Sequence, residues 1–262
     1  MVNEWAPEVL ELCREYSGRG VVGMDVCGVV PAGAGGASAS QRAEYGEEIT
    51  DPLIIETFQA VASIINAIYL FVCFCCSSQG MNVGAHAQKA TRGVDKTPER
   101  AASCGVHRTV HAAEAGPPST VARAVRDLRA ERIGHGYRAV IEGGAAYQQA
   151  LRAGVHFECC PTSSFLTGAV SPTVEEHPVV RLRRVGASFS LSTDDPAVTH
   201  TTLEDEYRLA LKLGLTPDDI LQCNRSAISA CFLPDDEKWE LQQKFDRLIS
   251  AETTSTFKKK AK

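Results

Sequence analysis

Two histidines, a glutamate and two adjacent aspartates carry most of the chemistry in this sequence: His111 and Glu114, then His135, then Asp194 followed by Asp195. Imidazole and carboxylate are the side chains that bind divalent metal ions and that move protons near neutral pH. Each of these residues ends or closely follows a short run of β-branched or alternating apolar residues, at 106–111, 132–136 and 188–193. A histidine taken alone is most simply a hydrogen-bonded structural residue. Several reactive side chains at equivalent ends of successive strands are different, because the C-terminal rim of a parallel βα sheet is where such folds build their active sites.

Neighbouring motifs are weaker. His107 and His111 have the i, i+4 spacing of a helical metal pair, but Thr109 and Val110 between them favour a strand, where four residues span about 13 Å. One ion cannot reach both, so His111 is the candidate ligand and His107 a structural or surface histidine. Asp194 and Asp195 point in different directions from a strand end, which suits two separate tasks better than a shared proton. The competing explanation is a turn or helix cap before Pro196. His156 and Glu158 imitate the His-x-Glu of zinc deaminases acting on nucleobases, but no Pro-Cys-x-x-Cys follows, and both are expected in structural or supporting roles. Cys73, Cys75 and Cys76 lack the paired spacing of a zinc site. No glycine-rich phosphate loop stands in a strand–helix context.

The elements that must position these residues follow from periodicity. Strand starts near 106, 132, 155 and 188, with helical patterns between or after them, suit βα units in a parallel sheet, and 21–28 reads as one earlier strand. Val121, Ala124, Val125 and Leu128 share one helix face over 117–129, with solvated arginines opposite. Thr216-Pro217-Asp218-Asp219 opens a helix, and Gly214 closes the preceding one over 202–213. The fold class is therefore α/β, about half of an eight-stranded βα barrel.

A chain of 262 residues is long enough for a sizeable core, and 44% hydrophobic with 23% charged residues excludes wholesale disorder. A net charge of −5 with scattered basic residues argues against a nucleic-acid partner. Ten cysteines and no apolar leader point to reduced thiols in a cytoplasmic protein. The expected division is a barrel remnant at 1–28, an atypical insert at 29–104, the principal barrel segment at 105–251 and a basic tail at 252–262. The insert opens with a Gly/Ala/Ser-rich connector at 29–46. Its uncharged run at 57–79 is long enough for a membrane helix, but Gln59, Ser63 and Asn66 on one face favour a buried helix over membrane contact.

Four ordered motifs, His111-Ala112-Ala113-Glu114, Gly134-His135-Gly136-Tyr137, Cys160-Pro161-Thr162-Ser163-Ser164 and Ser192-Thr193-Asp194-Asp195-Pro196, closely resemble the adenosine deaminase family of zinc-dependent βα-barrel hydrolases. Phe232-Leu233-Pro234 adds to the likeness, and 21–28 looks like that family's fifth strand. Phe165-Leu166-Thr167-Gly168 is closer to adenosine deaminases than to the related AMP deaminases. The resemblance implies a purine nucleoside as small-molecule partner and one zinc ion, with His111 and Asp194 as ligands. It also implies Glu114 as the acid that protonates purine N1, His135 as the group acting on the attacking water, Asp195 at N7 and the Gly28 backbone N–H at N3. The family's first-strand His-x-His pair does not occur among the seven histidines, strands one to four have no counterpart, and Ala113 replaces a usual glycine. The alternative is a catalytically inactive truncated or mis-spliced fragment, at most a purine- or partner-binding protein. Such a half-barrel is expected to expose apolar side chains toward the missing half.

Overall fold

The computed structural model describes residues 23–26, 107–114 and 116–260, with side chains described for 107–114 and 116–250. Five strands form one parallel sheet in chain order: β1 (Gly23–Val26), β2 (His107–Ala112), β3 (Arg132–His135), β4 (His156–Cys159) and β5 (Phe189–Leu191). Each strand lies beside the next one in the chain, the order of a barrel wall; a doubly wound sheet reverses direction. The chain is thus α/β, with the sheet of an incomplete βα barrel, and the expected strands are found to within a few residues at each end.

The helices are α1 (Ser119–Arg126), α2 (Tyr137–Glu142), α3 (Ala145–Arg152), α4 (Pro161–Leu166), α5 (Pro178–Arg184), α6 (Pro196–Thr199), α7 (Leu203–Lys212), α8 (Pro217–Ala230) and α9 (Asp235–Lys260). Helices α7 and α8 begin with complete capping boxes, Thr202 with Asp205 and Thr216 with Asp219, so local chemistry fixes their starts. Gly214, at φ 105°, lies just past the C-cap of α7 in a conformation that a side chain would strain. Helix α9 runs without a break across the expected boundary at 251/252, so the basic end continues a helix to Lys260.

Register sorts the two faces of the sheet. Val110, Ile133, Phe157 and Phe189 form one cross-strand row, and with Leu191 they join Val121, Ala124, Val140 and Ile220 in the apolar core between sheet and helices. On the other face, the rows are Thr109, Arg132 and His156, then His111, Gly134, Glu158 and Ser190. This corrects the expectation of apolar side chains toward the missing half: among the described residues, the barrel-interior face is polar. It satisfies itself internally. Glu158 takes an ion pair from buried Arg132 and a 3.0 Å hydrogen bond from the Thr109 hydroxyl, and His156 lies 2.8 and 2.9 Å from the hydroxyls of Ser188 and Ser190. Burial, then the charge of Arg132, pushes the His156 pKa down to about 3, so this histidine is neutral and structural, as its sequence context suggested. His107 is also structural, 2.6 Å from Glu131 and stacked on Phe232 at 4.7 Å.

Residue 28, the insert at 29–104 with its uncharged run, and the cysteines at 73, 75 and 76 lie outside the described residues. Among those described, no helix is long and apolar enough to cross a membrane.

Candidate metal and proton-transfer site

The reactive residues meet at the C-terminal ends of β2, β3 and β5, and the backbone there is unusual. Ala113, His135 and Asp194 adopt φ angles of 53°, 68° and 61°, in the left-handed region that residues with a Cβ avoid. Such conformations cost roughly 1–3 kcal/mol each and persist only where the surroundings over-determine them. At His135 the consequence is visible. Strand alternation assigns it, with Ile133, to the helix-facing side, yet the left-handed turn brings its ring to His111 on the interior face, edge-on at 4.9 Å between centroids.

His135 is the hub. Its Nε2 lies 3.6 Å from Glu114 Oε2 and 3.9 Å from Asp194 Oδ2. Its Nδ1 is buried without a hydrogen-bond partner. The ring of His111 covers Gly134 on the neighbouring strand, so closely that a Cβ there would stand 2.5 Å from His111 Cδ2. Asp195 occupies the N-cap of α6 but makes no side-chain capping bond, so the helix-cap explanation does not account for it. Its pKa is raised by partial burial and then by the charge of Asp194, with His111 and His135 opposing, which sets all four groups in one electrostatic neighbourhood.

Two hydroxyls aim the carboxylates, and sequence reasoning assigned neither a task. Ser163 on α4 donates to Asp194 Oδ2 at 2.7 Å, and Thr167, one helical turn on, donates to Glu114 Oε1 at 3.3 Å. Their i, i+4 spacing was readable, but only the fold shows what stands opposite that helix face. Cys160 was also passed over. His135, Cys160 and Asp194 each bring a donor atom within 4.8 Å of the others, a nitrogen, a sulfur and an oxygen in reach of one cation after small side-chain rotations. Imidazole, thiolate and carboxylate all bind zinc, so this donor set, with its unpartnered imidazole nitrogen, suits a divalent ion. His111 stands beside that triangle and is not one of its corners. Gly28 lies outside the described residues.

Residues 80–248 match the family model described as adenosine deaminase. An adenosine deaminase of Xenopus laevis is 47% identical over 153 residues, 58% of this chain and 42% of that protein. One from Gallus gallus is 34% identical over 238 residues, 90% of this chain and 51% of that protein. Among solved structures, the Arabidopsis N6-mAMP deaminase superposes with a TM-score of 0.63 at 24% identity, over 94% of this chain and 55% of that one, a likeness of fold. The chain spans about half the length of the relatives it matches.

Proposed function

The chain belongs to the adenosine deaminase family, and from that premise we propose that it serves the zinc-dependent hydrolysis of adenosine or 2′-deoxyadenosine to inosine or 2′-deoxyinosine and ammonia. The observation that carries this reading is the convergence of Glu114 and Asp194 on one imidazole, with His135 Nε2 at 3.6 and 3.9 Å from them. His111 and Asp194 are the ligands proposed for the ion; His135 and Cys160 bring donor atoms within 4.8 Å of that of Asp194, and the His111 ring stands against His135. Bound zinc supplies hydroxide at neutral pH by lowering the pKa of water toward about 7.

The chain's own residues do the rest. His135 orients the attacking water and takes its proton. Glu114, fixed by Thr167 through one oxygen, delivers a proton to purine N1 as the C6–O bond forms. Collapse of the tetrahedral species breaks the C6–N bond, the proton held by His135 leaves with ammonia, and the proton of the new C6 hydroxyl passes back to Glu114 as the C6 carbonyl forms. Asp195 meets N7, and the Gly28 N–H meets N3.

The test is zinc content together with inosine formation by the purified chain. Near-stoichiometric metal with turnover supports the reading. A folded chain that keeps purine affinity but neither holds zinc nor turns over replaces it with the non-catalytic purine-binding reading, which the missing His-x-His pair favours.

A further inference from the structure

We propose that Glu206 is a positioning residue for this site: a single buried carboxyl on α7 holds the turn opening α4, the segment that aims Asp194 through Ser163. The proposal rests on the reading of Asp194 as a metal ligand.

Helix α7 buries Leu203, Tyr207, Leu209 and Ala210, and Glu206, fully buried, is the one acid among them. An apolar side chain would fill that place without the cost of removing a carboxylate from water. Burial pushes its pKa up to about 7, although the Thr162 backbone and the Thr162 and Thr201 side chains all favour the charged form. What the carboxyl does there is visible at one oxygen: Oε2 accepts the Thr162 N–H at 3.0 Å, one of the first N–H groups of α4 that have no partner within the helix. The next residue, Ser163, is the donor to Asp194 Oδ2.

The other oxygen, Oε1, is buried without a hydrogen-bond partner. The loop at 193–201 is braced separately by Thr199, whose hydroxyl donates to the Asp195 carbonyl at 3.0 Å, with the Thr193 carbonyl at 3.3 Å. Those two carbonyls bracket Asp194, whose φ of 61° needs support from both flanks. Glu206 therefore holds the segment carrying the donor that orients the Asp194 carboxylate, while Thr199 steadies the strained backbone from which that carboxylate projects. Its charge also reaches Cys160, whose thiol it helps to raise.

The test compares wild-type protein with Glu206→Gln, Glu206→Leu and Glu206→Asp. Zinc affinity is measured by chelator competition, and amide hydrogen exchange is followed at Thr162 and at Phe157, whose N–H is bonded to the Ser188 carbonyl in the sheet. Glu206→Leu should lose protection at Thr162 alone and bind zinc about 10–100-fold more weakly. Glu206→Gln, which keeps an oxygen for Thr162, should recover most of both. Glu206→Asp, which withdraws the carboxyl from Thr162 by one methylene, should weaken zinc several-fold with Phe157 protection intact, so the proposal stays testable even where Glu206→Leu unfolds. Wild-type zinc affinity together with wild-type Thr162 protection in the variants overturns it. Where wild-type protein binds no zinc, it is the reading of Asp194 as a ligand that falls; exchange at Thr162 still decides whether Glu206 holds the turn.

Discussion

Replacing Gly134 with alanine puts the arrangement of β2 and β3 to a sharp test. Gly134 pairs with His111 across the two strands, and an added Cβ would lie 2.5, 2.9 and 3.0 Å from His111 Cδ2, Cγ and Nε2. Carbon atoms rest at about 3.5–4.0 Å, so the imidazole must withdraw by about 1 Å or the strands must part. Crowding of this kind costs about 1–3 kcal/mol, whereas removing a glycine from the unfolded ensemble returns about 0.4–1 kcal/mol. The net expectation is a loss of roughly 0–2.6 kcal/mol in denaturant unfolding. A displaced ring is the larger consequence: a misplacement near 1 Å is enough to cost about 100-fold in a reaction that depends on it. Zinc affinity and turnover should therefore fall much further than stability. Gly116→Ala is the control, since its Cβ would meet nothing nearer than Thr120 Cγ2 at 3.7 Å. A Gly134→Ala protein that is more stable than wild type and binds zinc with unchanged affinity would show that His111 does not lie over Gly134.

Ala113→Gly should stabilise the chain by about 1 kcal/mol, because Ala113 is held at φ 53° where glycine has no steric penalty; unchanged stability in urea would count against that strain. Glu114→Gln should lower turnover by about 10²–10⁴ while leaving bound zinc unchanged, measured as inosine formation against metal content. Stability should also depend on pH with two opposing signs. His156 and His177, brought by burial to about 3 from 6.5, contribute stability that is complete above about pH 6.5 and is lost as pH falls toward 3, on the order of 4 kcal/mol each. Glu206, raised by burial from 4.5 to about 7, contributes stability that is complete below about pH 4.5 and lost as pH rises through 7, on the order of 3 kcal/mol. Unfolding free energy should thus climb between pH 4.5 and 6.5, and Glu206→Gln should steepen that climb; an unaltered slope in the variant contradicts the buried carboxyl.

Much of this was legible without coordinates, and the reason is locality. The strand at 107–112, the capping boxes at Thr202 and Thr216 and the stop at Gly214 each depend on residues within one or two turns of each other, so periodicity and hydrogen-bonding chemistry suffice to place them. Given a parallel sheet, the rim carrying His111, Glu114, His135 and Asp194 follows as well. The polar interior was legible only in part: His156 and Glu158 read as structural residues from the sequence, but their partners Thr109, Arg132, Ser188 and Ser190 appear only once register sets them opposite. The direction of His135 was hidden too, because alternation along β3 sends it to the wrong face and only a left-handed backbone, imposed by the surrounding packing, turns it back.

Residue types and their spacing, then, determine which groups are available for chemistry and which end of the sheet presents them. Tertiary structure alone decides how they are aimed: that Ser163 grips Asp194, that Thr167 grips Glu114, and that a buried acid on an otherwise amphipathic helix holds the turn that opens α4. Those contacts join residues 31, 53 and 44 positions apart. Nothing in a local pattern encodes them, since their energy exists only once sheet and helices have packed.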